Sequence, residues 1–246
     1  MDSFYKRADD HDVIIPSFTE VEIKFRMENV KSCVSIGTGH GGMELPCLEH
    51  SMPNLTQFTA VEPDPESAAT LKKNLAERLP NVRSDVCQET VQSWRDPDEP
   101  VDAVLLFHVL YHLNPEERMA LFKRLYDTVF KSGGFLIILI HSYFTSDKPS
   151  AYCRVLQLLK PSEKNYEIIT DREVVDAVVS VGFELCYERM YNCHLNVKDP
   201  DDAFLSLFLL PEKDVGLEAV RHAAKEVFGD SERVNHDVWL AIFRKP

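Results

Sequence analysis

No two cysteines stand as a CxxC pair. The six present (33, 47, 87, 153, 186 and 193) are scattered, several of them in apolar runs where a thiol behaves as a small core hydrophobe. That scatter fits a reducing, cytoplasmic compartment. Basic residues are scarce as well: 27 Lys and Arg face 40 Asp and Glu, a formal charge of −13. Phosphate binding depends on Lys and Arg, so nucleic acid is not an expected partner. No stretch approaches the roughly 20 apolar residues that span a bilayer. The opening MDSFYKRADDHD lacks the apolar core of a signal peptide, so no membrane partner is expected. Internal repeats and low-complexity tracts are absent too. What is present is an apolar fraction of 44% over 246 residues, enough for one α/β domain with its own core. A monomer is expected.

Residues 1–25 are charged and then apolar (Val13, Ile14, Ile15, Phe18), an amphipathic or irregular lead without cap signals. A strand, SCVSI at 32–36, ends in GTGHGG, and a helix follows to about His50. QFTAV at 57–61 is a second strand. Pro63-Asp64-Pro65 then opens a helix in which Leu71, Leu75 and Leu79 recur every four residues. Residues 81–86 read as a weak third strand and DAVLLF at 102–107 as a fully buried fourth. Asn114 caps a helix with Pro115 at its first position and Glu117 at its third, running to about Phe130 before Gly133-Gly134 stop it. FLIILI at 135–140 is a fifth strand, 142–170 a lobe, Asp171 to Val181 a helix, and FELCYERM at 183–190 a strand. Residues 197–233 form an insertion with an apolar run (Phe204 to Leu210) and a helix (Leu217 to Phe228). After it HDVWLAIF at 236–243 closes the sheet, antiparallel to its neighbour because too little helix remains for another crossover.

Three constellations carry chemistry. In SIGTGHGG, glycines at 37, 39 and 41 after a strand let backbone approach a ligand, and the following helix N-terminus presents N–H groups to an anion. A tight turn needs the same glycines, and Gly37, Gly39 and Gly42 also satisfy the dinucleotide GxGxxG, so a nicotinamide enzyme stays open. Glu62 ends the second strand, where a carboxylate can accept both hydroxyls of a ribose; capping the Pro65 helix is the plainer alternative. His108 follows the fourth strand directly, at the carboxyl end where doubly wound sheets bind ligands. His112 either joins it or packs, and Tyr111 and Tyr143 either face a cationic ligand or pack.

Taken together, the GxGxG after strand one, the acid ending strand two, the apolar strand four and the SGG turn into strand five resemble class I S-adenosylmethionine-dependent methyltransferases over about residues 31–243. Within that class SIGTGHGGMEL, the VEP after strand two, QET at 88–90, HVLYHL at 108–113, DPDDAFLSLFL and NHDVWLAIF are most similar to the histamine N-methyltransferase family. The resemblance implies a Rossmann-like seven-stranded sheet, mostly parallel with the last strand antiparallel, in one domain. Residues 1–30 would be a lid segment, 31–141 the cofactor half and 142–246 the substrate-side half. S-adenosylmethionine, released as S-adenosylhomocysteine, would be the cofactor, with no metal. Gly37, Thr38, Gly39, Glu62, Ser67, Thr90 and Phe107 would line its pocket, Thr90 near the adenine. The acceptor would be a small amine or imidazole; a carboxylate or oxygen acceptor, or a non-catalytic S-adenosylmethionine-binding module, are the alternatives. That family grips its substrate with a glutamate, a glutamine and an asparagine, whose places fall on Asp10, His108 and His236 here. These three are the candidate catalytic residues, and Tyr111, His112 and Tyr143 join His108 and His236 as candidate acceptor contacts.

Overall fold

Ile14, Phe18 and Val21 fall on one helical face and are at most 1% exposed. Around them residues read from the sequence as an amphipathic or irregular lead form a helix, α1 (Asp10–Phe25). Pro16 lies inside α1 and masks the signal, because a proline removes a helical donor. Asp10 and Asp12 supply the first turn with the negative charge that a helix N-terminus favours. The computed structural model describes residues 7–142, 144–145, 148–159, 169–201, 205 and 216–246.

The chain then alternates as its apolar pattern demands: β1 (Ser32–Ile36), α2 (Glu44–Ser51), β2 (Gln57–Val61), α3 (Pro65–Arg78), β3 (Arg83–Cys87), β4 (Val101–Phe107), α4 (Pro115–Arg124) and β5 (Phe130–His141). Strands β1 to β4 pair in parallel, with Ile36 opposite Val61 and Val61 opposite Cys87, so their carboxyl ends form one rim. Asn114 and Glu117 complete a reciprocal capping box on α4. Two boundaries differ from expectation. Helix α4 passes into a wider π-type turn over Leu125–Val129, and β5 begins at Phe130 rather than beyond the Gly pair, because Phe130 pairs with Val101 across a bulge.

A short pair, β6 (Phe144–Thr145) and β7 (Lys148–Pro149), precedes α5 (Ala151–Leu159). After α6 (Asp171–Val181) and β8 (Glu184–Tyr191) comes β9 (His194–Asn196), followed by α7 (Leu217–Phe228), β10 (Arg233–Asn235) and β11 (Val238–Arg244). Strands β9 and β10 pair antiparallel and bracket the insertion, a two-stranded sheet that the sequence pattern did not announce. Most of the apolar run Phe204 to Leu210 lies outside the described residues. The large sheet has seven strands in the order β3-β2-β1-β4-β5-β11-β8. Gly133 N–H donates to the Lys245 carbonyl and Lys245 N–H to the Gly134 carbonyl, while Ser142 N–H donates to Asp237. Numbers rise along β5 as they fall along β11, so β11 is antiparallel, as expected.

Two compact units partition these residues. One comprises Ile14–Ile140, Arg172–Arg189 and Leu240–Pro246 and holds most of the sheet. The other comprises the described parts of Met1–Val13, His141–Asp171 and Met190–Trp239. Its own core joins Val155, Leu195, Val197, Val220, Ala224 and Phe228, packing α5 and α7 against the β9–β10 pair.

Candidate active site

The glycine loop sits at the carboxyl end of β1. Gly37, Gly39 and Gly41 have φ of 69°, 56° and 78°, in the left-handed region that glycine enters without strain. At Gly37 space adds a second constraint, since a Cβ there would lie 2.4 Å from a Val109 methyl. Gly37 N–H donates to the Val61 carbonyl at 2.8 Å and the Thr38 hydroxyl to the Ser35 carbonyl at 3.1 Å, so β1, β2 and the loop hold one another.

Glu62 is 7% exposed at the end of β2. Its two oxygens accept separately: Oε2 from Gly39 N–H at 2.7 Å and Oε1 from Asp64 N–H at 2.9 Å. Each carboxylate oxygen offers two acceptor positions, so one on each remains for a hydroxyl pair. The capping of α3 falls to Asp64, which accepts from Ser67 N–H at 2.7 Å, and this bond holds its carboxyl below the usual range. Glu62 is thus not the helix cap, and it ties the glycine loop to the acid-bearing strand end.

Around this rim the remaining cofactor candidates take different positions. Ser67 is half-buried in the first turn of α3. Thr90 is exposed and opens a turn, its hydroxyl 3.0 Å from that of Ser93. Arg124 steadies that turn by donating to the carbonyls of Val91 and Trp94 and to Asp96. Phe107 is 2% exposed and stacks on Phe18 with rings 6° from parallel, which makes it a wall of the core.

His108 leaves β4 with φ of 52°, one of three non-glycine residues in that region among those described. Such a conformation costs of order 1–2 kcal/mol and persists where surrounding contacts enforce it. Here its N–H donates to the Leu139 carbonyl at 2.8 Å, and its Nδ1 lies 3.3 Å from the Tyr111 hydroxyl. His112 follows in a single 3-10 turn. Although its side chain meets solvent, the surrounding protein lowers its pKa, and the negative Glu62 pulls the other way. His112 therefore lies within electrostatic reach of the Glu62 carboxylate.

Two further residues, one in each unit, were not singled out in the sequence. Glu44, at the start of α2, is 5% exposed. Burial pushes its carboxyl up to about 8; bonds from its own N–H and that of Met43 oppose this, and the Glu62 charge adds to it. An acid in a first helical turn is commonplace, so only its burial distinguishes it. His141 ends β5 as His108 follows β4, and that parallel strand position was the available signal.

Asp10, His141 and His236 come together in the second unit. Asp10 and His236 are 1% and 3% exposed, with His236 Nε2 3.6 Å from Asp10 Oδ2. The rings of His141 and His236 lie 4.0 Å apart. His108 and Tyr111 belong to the first unit, and Tyr143 lies outside the described residues. A separate recess lined by Lys24, Arg26, Lys131 and Arg244 opens at the starts of β1 and β5, away from the glycine rim, and contains none of the candidate residues.

Residues 34–134 match the family model described as a methyltransferase domain. Among solved structures, a SAM-dependent methyltransferase of Methanosarcina mazei is similar with a TM-score of 0.58 and 14% identity, over 91% of this chain and 96% of that one. The YcgJ protein of Bacillus subtilis gives 0.66 and 12%, over 94% and 98%. The cyclopropane synthase MmaA2 of Mycobacterium tuberculosis gives 0.60 and 14%, over 92% and 83%. No curated protein matches the chain. At these identities the solved structures speak for the fold, which is the Rossmann-like fold of class I methyltransferases.

Proposed function

We propose, from the premise that residues 34–134 match a methyltransferase domain, that this chain uses S-adenosylmethionine to methylate a nitrogen of a small molecule, a histamine-like amine or an imidazole. The observation that carries the cofactor half is Glu62, whose two oxygens are each fixed by one backbone N–H at the rim of the sheet and each keep an acceptor position for a ribose hydroxyl. In this reading Gly37, Thr38 and Gly39 admit the amino-acid end of the cofactor. Ser67, Thr90 and Phe107 border its nucleoside.

Methyl transfer from a sulfonium is an in-line displacement. The acceptor nitrogen supplies the electron pair for the new N–CH3 bond, the S–CH3 bond breaks, and its pair returns to sulfur as a neutral thioether. The protein contributes orientation and exclusion of water. An amine acceptor first gives up a proton, and a neutral imidazole at His108 or His236 takes it directly or through one water. Tyr111 and His112, in the same unit as His108, are the proposed acceptor contacts there, Asp10 is the proposed partner of a cationic acceptor beside His236, and Tyr143 lies outside the described residues. A cyclopropane synthase shares the fold, so the acceptor class rests on these side chains and not on the architecture.

The test combines a screen of amine, imidazole, carboxylate and hydroxyl acceptors with methyl-labelled S-adenosylmethionine and the paired replacement His108→Ala, His236→Ala. Label transferred to nitrogen and a loss of turnover of about two orders of magnitude or more are expected, with cofactor binding retained. Full turnover in the double variant would refute the assignment of the base, and transfer to oxygen alone would refute the acceptor class.

A further inference from the structure

The second unit contains buried acidic side chains with few hydrogen-bond donors around them. Neither oxygen of Asp10 is within hydrogen-bonding range of an N–H or O–H among the described residues, although the residue is 1% exposed. Asp237, 4% exposed, has a buried Oδ1 in the same condition. Adjacent Asp9 shows the contrast, since Arg233 and His194 both reach its carboxylate. The Cys193 thiol lies beside Asp10. A carboxylate removed from water without a donor costs several kcal/mol unless a cation meets it.

We propose that Asp10, His141 and His236 bind one divalent first-row transition ion, with zinc as the reference case. The carboxylate and one ring nitrogen from each histidine lie within 4.8 Å of one another. Metal bonds of about 2.0–2.1 Å require a contraction of roughly an ångström, which side-chain rotation supplies. Two imidazoles and one carboxylate form a borderline donor set that suits zinc, iron or cobalt, whereas calcium and magnesium favour oxygen ligands. Three protein ligands leave a coordination position open.

Backbone bonds hold the three ligand-bearing segments in place. His236 N–H donates to the Cys193 carbonyl at 2.7 Å, Ser142 N–H beside His141 to the Asp237 carbonyl at 2.8 Å, and Asp9 N–H beside Asp10 to the His194 carbonyl at 3.1 Å. A protonated His236 paired with Asp10 across 3.6 Å is the competing arrangement, and a metal titration separates the two. The metal proposal does not depend on methyl transfer, but ligation would occupy His236 and leave the role of base to His108.

Full-length protein stripped with chelator, then titrated with Co2+ and Zn2+ by calorimetry and visible absorption, tests this. One ion per chain is expected, with the absorption of four- or five-coordinate Co2+. His141→Gln and Asp10→Asn should each weaken binding by about two orders of magnitude, since two ligands remain. Their folding is checked by thermal melting and by S-adenosylhomocysteine binding, which the metal proposal leaves intact. Absence of a one-to-one site, or affinity unchanged in both folded variants, overturns it. If cofactor binding fails while the metal binds, the methyl-transfer reading falls and the metal site stands.

Discussion

Single residues at the glycine rim differ in how openly the sequence displays them. The position of Glu62 was legible because it ends the apolar strand that follows the GxGxG turn. Glu44 was not, because its unusual state comes from being 5% exposed with Glu62 nearby, and burial is a tertiary property. Its consequence is measurable. The folded-state pKa of about 8 exceeds the ordinary 4.5, so between those values the folded protein binds more protons than the unfolded chain. Stability should therefore fall as pH rises from about 4.5 to about 8, with a limiting slope near 1.4 kcal/mol per pH unit, and level off above. Denaturant melts over that range should show this slope in the wild type and lose it in Glu44→Gln, which should be the more stable protein at pH 8.

At the scale of elements, one side chain fastens the starts of three strands. Asp102 Oδ2 accepts from Lys31 N–H at 3.0 Å, Ser32 N–H at 2.9 Å and the Ser32 hydroxyl at 2.9 Å, while Lys131 reaches Oδ1 at 2.8 Å. Burial raises the Asp102 pKa, but these four donors outweigh it and hold the carboxyl below the usual range. A depressed pKa contributes stability above the unfolded value, which is lost as pH falls through the folded one. Asp102→Ala should cost about 2 kcal/mol at neutral pH, read from denaturant midpoints, and the deficit should shrink in acid. The same region explains a misplaced boundary. Gly133-Gly134 reads as a helix stop followed by a strand, yet β5 already runs through both glycines, because pairing with β4 and β11 overrides the local preference. Helix α1 was hidden by Pro16 for a related reason: a local breaker was outvoted by burial of one apolar face.

For the whole molecule, the nucleoside cofactor proposed above would bind only the folded state and so stabilise it by mass action. At about 100 times its Kd, S-adenosylhomocysteine should add roughly 2.7 kcal/mol, or about 5–10 °C in melting temperature for a chain of this size. NAD should add nothing, and Glu62→Gln should abolish most of the shift without lowering the melting temperature of the free protein by more than a few degrees. A shift from NAD, or an unimpaired Glu62→Gln, would overturn the cofactor assignment. No helix among the described residues is long and apolar enough to cross a membrane, in line with the hydropathy of the sequence.

Periodicity, glycines and strand-terminal acids are local quantities, and they alone determined the alternation of strands and helices, the loop at 37–41 and the position of Glu62. The antiparallel placement of the closing strand also followed, since too little helix remains for another crossover. Tertiary structure decided what depends on partners distant in the chain: the protonation of Glu44, the bracketing of the insertion by β9 and β10, and the meeting of residues 10, 141 and 236. Burial and charge compensation are sums over neighbours that a linear chain does not disclose until it has folded.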